Sequence, residues 1–396
     1  MNPPPKTGNS PARVDELDGL RGLLAIWVAL THILAWTGFW ENPGPGRLNG
    51  AWLEFISAKP AVDTFIILSG FAISFLLHKK KQNYSTFMRG RFFRIYPVYI
   101  LCLILGIAAS FLTPAITHAA PWRDTVYFSW VRTLTDQENS RFGAHLLAHL
   151  TLLNGTLPKQ ILPGATGTFL TPAWSITLEW QYYLVAPFIA RGVRSGTSLL
   201  ALGFIAAAGI HFAPHWQNAQ LSFLPPQLPL FLIGIGSYHL YVWLSNNRPA
   251  QPLPSLAAAG VILVAIISGW HSVALVAWAL GFGCILVRGR DPLSRFLGIF
   301  RKTLLHPIPQ HLGKISYPVY LVHWPVIIAA LFLLLKLLPS VTSTAAFAIL
   351  FVTCMPAILI SAEIIHRTLE MPAMKFGKRF DRRPPAPTRT TGNPNP

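Results

Sequence analysis

Ionisable residues inside long apolar runs are where this sequence can do chemistry, because a charge near a bilayer centre costs at least about 2.5–3.5 kcal/mol. The first such run reads Leu17-Asp18-Gly19-Leu20-Arg21-Gly22 and continues to Thr31-His32. Arg21 and His32 are three helical turns apart, about 16 Å along a helix, and so lie on nearly one face. Arg21 falls at one end of the run and His32 at or beyond its middle. Snorkelling explains an arginine at a helix end, and a structural hydrogen bond explains a buried histidine. The functional reading is preferred for both, since each puts an ionisable group where the bilayer makes it expensive.

Arg91 and Arg94 lie in Arg89-Gly-Arg91-Phe-Phe-Arg94-Ile-Tyr96-Pro97, where i, i+3 spacing puts them on one helix face. Guanidinium forks suit phosphate, and with Arg21 these three can hold a polyphosphate donor. Simple anchoring is the competing explanation, and for the Lys79-Lys80-Lys81 run it is the better one. A second run carries Asp63 at its outer end and Ser69-Gly70 in its middle. Ser69 offers a hydroxyl, although small residues also serve helix packing. Further on stand Trp174-Ser175, Glu179 and Tyr182-Tyr183. Glu179 lies about two turns inside its run, where a carboxylate needs a partner, and His32 is expected to be that partner. Tyr320 and His323 share a face of a later run; His323 can be a participant or a buried hydrogen bonder.

The elements that position these residues follow from composition. Of 396 residues, 52% are hydrophobic and 12% charged, and mean hydropathy is +0.44. A soluble domain carries about twice that share of charge. The net charge of +18 would suggest nucleic acid in a soluble protein; here the cations punctuate apolar runs, so topology explains them and no nucleic-acid partner is expected. A span takes about 17–25 residues, which gives ten, near 18–39, 60–78, 94–113, 172–190, 196–213, 221–244, 254–270, 272–288, 314–336 and 342–364. The predicted fold is an all-α polytopic transmembrane helix bundle with no separate soluble domain. With both termini cytoplasmic, only seven of the 32 lysines and arginines face outward, as the positive-inside rule requires.

The predicted organisation is a polar cytoplasmic N-terminus (1–16), a membrane domain (17–372) with an outer loop at about 114–171, and a basic, disordered cytoplasmic tail (373–396). The N-terminus lacks the features of a signal peptide. Within the outer loop, an amphipathic stretch from Phe142 to Leu153 carries His145 and His149 four apart. That spacing suits two metal ligands, but no third accompanies them, so an interfacial helix is the preferred reading and no metal site is expected. Cys102, Cys284 and Cys354 lie alone in apolar segments, without ligand or disulfide spacing.

These segments together resemble the family of integral membrane acyltransferases that includes O-antigen and exopolysaccharide O-acetylases. The matching residues are Leu17 to Gly22 through His32, Val62-Asp63 through Ser69-Gly70-Phe71, and Arg91-x-x-Arg94 before Tyr96-Pro97. Trp174-Ser175 with Glu179 and Tyr183 come next, then Ile315-Ser316-Tyr317 with Tyr320-Leu321 and His323, and a closing Glu370-Met371-Pro372. Thr64 after Asp63 and Pro318 inside the ninth run depart from the family pattern. The resemblance implies an acyl-coenzyme A co-substrate, in all expectation acetyl-coenzyme A, with no permanently bound cofactor. It also implies an acceptor hydroxyl on a carbohydrate or glycolipid, in the bacterial inner membrane, with a polysaccharide-assembly protein as a candidate partner.

The expected mechanism places His32 and Glu179 at the chemistry. Arg21, Arg91, Arg94 and Ser69 hold the donor, and Asp63, Trp174, Tyr183 and His323 face the acceptor. A proton-coupled transporter or exporter of a glycan or metabolite is the alternative; it would use the same ionisable set as a relay, but no pair of matching broken helices marks an inverted repeat. An inactive assembly scaffold is disfavoured by the presence of Arg21, His32, Arg91 and Arg94 together.

Overall fold

A backbone in hydrocarbon must satisfy its own hydrogen bonds, and for apolar runs of this length the helix does so. The computed structural model describes residues 14–39, 56–79, 82–192, 222–247, 272–286 and 291–380, and among them there is no strand. The described helices are α1 (Asp15–Trp36), α2 (Lys59–Lys79), α3 (Tyr84–Ser110), α4 (Thr113–Ala119), α5 (Val126–Ser140), α6 (Phe142–Leu150) and α7 (Ala173–Gly192). They continue with α8 (Leu224–Asn247), α9 (Ser272–Leu286), α10 (Pro292–Leu305), α11 (Pro307–Leu337) and α12 (Ser343–Ile365). A π-helical turn (His366–Glu370) then leads into α13 (Met371–Arg379).

Caps fix several starts. The Asn83 side chain accepts the Thr86 N–H at 2.8 Å to open α3, and Asp291 accepts the Ser294 N–H at 3.0 Å to open α10, with Pro292 as its first residue. Among the described residues six stretches are long and apolar enough to cross a membrane: Asp15–Trp36, Lys59–Lys79, Tyr84–Ser110, Leu224–Asn246, Pro307–Leu337 and Ser343–Arg379. Helices α7 and α9 stand where spans at 172–190 and 272–288 are expected, the latter a shorter apolar helix. The expected spans at 196–213 and 254–270 lie outside the described residues.

Helix α1 packs most extensively on α11, and the two run parallel. Backbones meet at glycines: a Cβ on Gly22 would stand 2.6 Å from the Pro309 carbonyl oxygen, and one on Gly313 would collide with the Asp18 carbonyl. The same device joins α2 to α8, where Gly70 faces the Phe231 backbone. The glycine of Ser69-Gly70 is thus a packing residue, which leaves the chemistry of that pair to the serine. Arg301 on α10 ties to Glu16 on α1 at 2.8 Å.

Within the 113–171 segment α6 tucks against α3, with the Tyr96 hydroxyl donating to the Leu150 carbonyl at 2.7 Å and the Tyr99 hydroxyl to the His149 carbonyl at 3.0 Å. His145 and His149 are fully buried. Thr168 lies 3.3 Å from both rings, at His145 Nδ1 and His149 Nε2. Burial, with His145 beside it, holds His149 down at about 3, so it stays neutral. The i, i+4 histidines therefore serve packing through Thr168 and Tyr99. The three cysteines are buried and free.

The glycine contacts give the first prediction. Gly22→Leu should lower the thermal midpoint of the detergent-solubilised protein by an amount matching about 1–3 kcal/mol of overpacking. Gly236→Ala, whose added Cβ meets nothing within 4 Å, should leave it unchanged. Equal midpoints for the two variants would contradict the close α1–α11 crossing.

Candidate active site

One end of the bundle gathers the arginines. Arg94 on α3 pairs with Glu370 at 2.5 Å, and Glu370, wholly buried, also meets His366 Nδ1 at 2.6 Å. The π turn brings those two partners together, since His366 opens it and Glu370 closes it. The same Arg94 nitrogen also reaches the Met374 sulfur at 3.4 Å, and the guanidinium sits 6.0 Å from the Tyr317 ring. Tyr317 in turn donates to the Ile95 carbonyl at 2.7 Å, tying α11 to α3. Arg21 reaches Asp18 at 3.5 Å and lies within electrostatic range of Arg94, Glu179 and Tyr183.

Arg91 differs from both. Its guanidinium lies 5.6 Å from the Tyr183 ring and 6.0 Å from that of Phe87. Its Nε is buried without a hydrogen-bond partner, and among the described residues no carboxylate pairs with it. A partly buried cation left in aromatic surroundings is equipped to receive an anion from outside the chain.

Glu179 is not bonded to His32 as expected. It accepts from Ser69 at 3.1 Å and, in a short hydrogen bond, from Tyr183 one turn along α7. It faces α2 and sits within electrostatic range of Arg21 on one side and of Tyr317 and Tyr320 on the other. The physical reason is helix rotation: the α7 face bearing Glu179 and Tyr183 turns to Ser69 and Arg91, a placement that the depth of a residue in its run does not define. Tyr183, expected to face the acceptor, therefore stands with the arginines.

His32 has its own partners. Its Nδ1 lies 2.9 Å from the Val28 carbonyl, which can only accept, so Nδ1 carries the proton and Nε2 keeps its lone pair. The ring stands 5.0 Å from His323 and edge-on to Trp324 at 5.4 Å, centroid to centroid. His323 repeats the arrangement, with Nδ1 3.2 Å from the Val319 carbonyl and a buried, unpartnered Nε2. Two imidazoles thus stand side by side on the parallel pair α1 and α11. Beside them Tyr320 shares a 2.7 Å hydrogen bond with Ser175 and packs against Phe65 at 5.8 Å. Trp174, partly buried, neighbours Ser175 on α7, and Asp63 near the start of α2 is held by Lys59 at 2.7 Å.

Sequence reasoning placed Glu370 in the closing motif without a role and passed over His366, whose partnership with it depends on a π turn that the sequence does not signal; it also passed over Glu138. The last is buried near the Trp36 and Trp324 side of the site, where it lines a small cavity of about 30 Å³ with both indoles. It accepts the Phe169 N–H at 2.9 Å, and burial pushes its carboxyl up. Phe169 adopts a positive φ of 52° there, a backbone state that a non-glycine residue holds at some cost. Among the described residues no group of three or more His, Cys, Asp or Glu side chains is placed to hold a metal.

A family model described as an acyltransferase domain matches residues 14–363. The acyltransferase MdmB of Streptomyces mycarofaciens is 25% identical over 93% of this chain and 93% of its own length. BcsY of Komagataeibacter xylinus, described as a membrane-bound transacylase, is 26% identical over 95% of this chain and 86% of its own. The O-acetyltransferase OatA of Staphylococcus aureus is 23% identical over 81% of this chain, which spans 51% of that protein. No solved structure matches.

The buried ion pair yields a prediction. Glu370→Gln leaves Arg94 charged and unpaired and should destabilise by about 3–5 kcal/mol, read as a large fall in the thermal midpoint in detergent. Combining it with Arg94→Met should recover much of that loss. A single variant as stable as the parent would contradict the pairing.

Proposed function

The chain belongs to the acyltransferase-domain family and is an integral membrane acyltransferase, and from that premise we propose that it moves an acetyl group from acyl-coenzyme A to a carbohydrate hydroxyl across or within the membrane. The observation that carries this reading is the 2.9 Å contact of His32 Nδ1 with the Val28 carbonyl: an acceptor there assigns the proton to Nδ1 and leaves Nε2 as the base, about 16 Å along α1 from Arg21. The name of OatA, an O-acetyltransferase, supports acetyl as the group and oxygen as its acceptor.

In this reading the donor's phosphates lie among Arg21, Arg91 and Arg94. Arg91, with no internal anion, takes the largest share, while Arg94, already neutralised by Glu370, positions more than it binds. Ser69 and Glu179 line the passage between the arginines and the histidines, and the Glu179 carboxylate offsets the cationic field that would otherwise oppose a proton on His32. The acceptor approaches from the side of Asp63, Trp174 and His323. His32 Nε2 takes the hydroxyl proton as the oxygen attacks the thioester carbonyl carbon; the new C–O bond forms, the C–S bond breaks, and the proton passes to the departing thiolate. His323 and Trp324 hold the His32 ring in place, so little reorganisation accompanies the step. The arginine end is the cytoplasmic one, which puts both termini on the cytoplasmic side of the bacterial inner membrane. The acceptor is extracytoplasmic or membrane-associated, and a polysaccharide-assembly protein is a candidate for delivering it.

The test is acetyl-coenzyme A turnover by purified protein in liposomes, followed by thiol release and by label transfer to a panel of bacterial glycans. His32→Ala should lower kcat by about 10²–10⁴-fold. Arg91→Ala should chiefly raise KM for the donor, by about tenfold or more. Turnover indifferent to His32, or none with any acceptor, would overturn the assignment.

A further inference from the structure

A second basic site stands beside the arginine cluster. Between the first turns of α11 and the α12–π–α13 stretch there is a cavity of about 380 Å³, a volume within the range of small-molecule sites. Its rim carries Lys314 and Lys375, both exposed, and neither ammonium group has a hydrogen bond or ion pair among the described residues. His311 and Arg367 stand on the same wall and share the carboxylate of Glu363, His311 at 3.0 Å. One acid thus answers several cations, and a positive surplus faces the cavity. Ile315 and Met371 supply an apolar wall.

The cavity shares a wall residue with the site already described. His366 lines it and also holds Glu370, which pairs with Arg94. Gly22 and Gly313, in close approach, put Arg21 at the same end of the bundle. A ligand seated here therefore lies within one ion-paired relay of the arginines.

We infer that this cavity binds a phosphate-bearing ligand of nucleotide size, the phosphorylated nucleoside end of the acyl carrier; this identification rests on the reading under Proposed function. Lys314 and Lys375 contact its ribose phosphate, Arg367 adds its terminal nitrogens, and the base lies along Ile315 and Met371. The pyrophosphate then extends past His366 toward Arg94, Arg21 and Arg91. Cations without internal partners hold the end of the donor that does no chemistry, and binding energy gained there positions the thioester. The phosphate of an anionic lipid headgroup has the same chemistry, and the experiment separates the two.

Adenosine 3′,5′-bisphosphate is titrated into the full-length protein in nanodiscs of phosphatidylcholine alone and of phosphatidylcholine with phosphatidylglycerol. The parent is compared with Lys314→Ala/Lys375→Ala, whose exposed positions leave the fold intact, as equal thermal midpoints will verify. Binding to the parent in phosphatidylcholine, weakened about tenfold or more in the double variant, is the expected result. Equal affinity in parent and variant would overturn the assignment, and acetyl-coenzyme A turnover persisting in the parent would show that the donor reading survives it. No nucleotide binding in phosphatidylcholine, with lysine-dependent retention of phosphatidylglycerol, would overturn it in favour of a lipid headgroup. If the parent turns over no acyl-coenzyme A yet binds the bisphosphate, and the double variant loses that binding, the nucleotide cavity stands and the acyl-transfer reading falls.

Discussion

A charge in a low-dielectric bundle must be partnered, and the way this chain partners its few charges sets the rest of its structure. Arg94 is matched by Glu370 and His366, Asp63 by Lys59, and Glu16 by Arg301. Glu179 is held by two hydroxyl donors instead of a cation. Against that background Arg91 stands apart, since no acid of the described residues answers it. Among the described residues the acids of the cluster are engaged elsewhere, and this one guanidinium is left without an ion pair.

Close helix packing turns those local pairs into a site. Glycines at the α1–α11 crossing let the two backbones meet, and because the helices run parallel, positions of like depth face each other. Arg21 and His32 on one helix are thereby matched by the cavity-lining turns and by His323 on the other. The π turn does comparable work at the far end of the sequence. By widening one turn it sets His366 and Glu370 on the same carboxylate–imidazole contact and presents both to Arg94; π turns recur at functional sites for this kind of reason. Guanidinium groups thus collect at one end of the bundle, and imidazoles and aromatic rings toward its middle.

Much of this was legible in the sequence. Apolar runs predicted the helices at 15–36, 59–79 and 343–365 to within a few residues, because hydrocarbon thickness fixes length and composition together. The Arg21–His32 spacing was readable because both residues lie on one helix, where periodicity is geometry. Rotation and long-range pairing were not. Glu179 was assigned to His32 by depth alone, whereas the turn of α7 gives it to Ser69 and Tyr183. The pairing of His32 with His323 joins residues almost three hundred positions apart, and nothing in either segment names the other. The amphipathic pattern of 142–153 reads as interfacial because its polar groups are histidines, and only the fold supplies Tyr99 and Thr168 to bury them.

The central claim is one of direction: the donor enters at the arginine end and the acceptor from the end toward which His32 lies. The most direct test is sidedness in proteoliposomes whose orientation is measured by protease cleavage of an N-terminal tag. Membrane-impermeant acetyl-coenzyme A is added outside, and thiol release is compared across preparations of differing orientation. The account predicts that turnover rises in proportion to the fraction with the N-terminus outward. Turnover that instead follows the fraction with the 113–171 segment outward would contradict it.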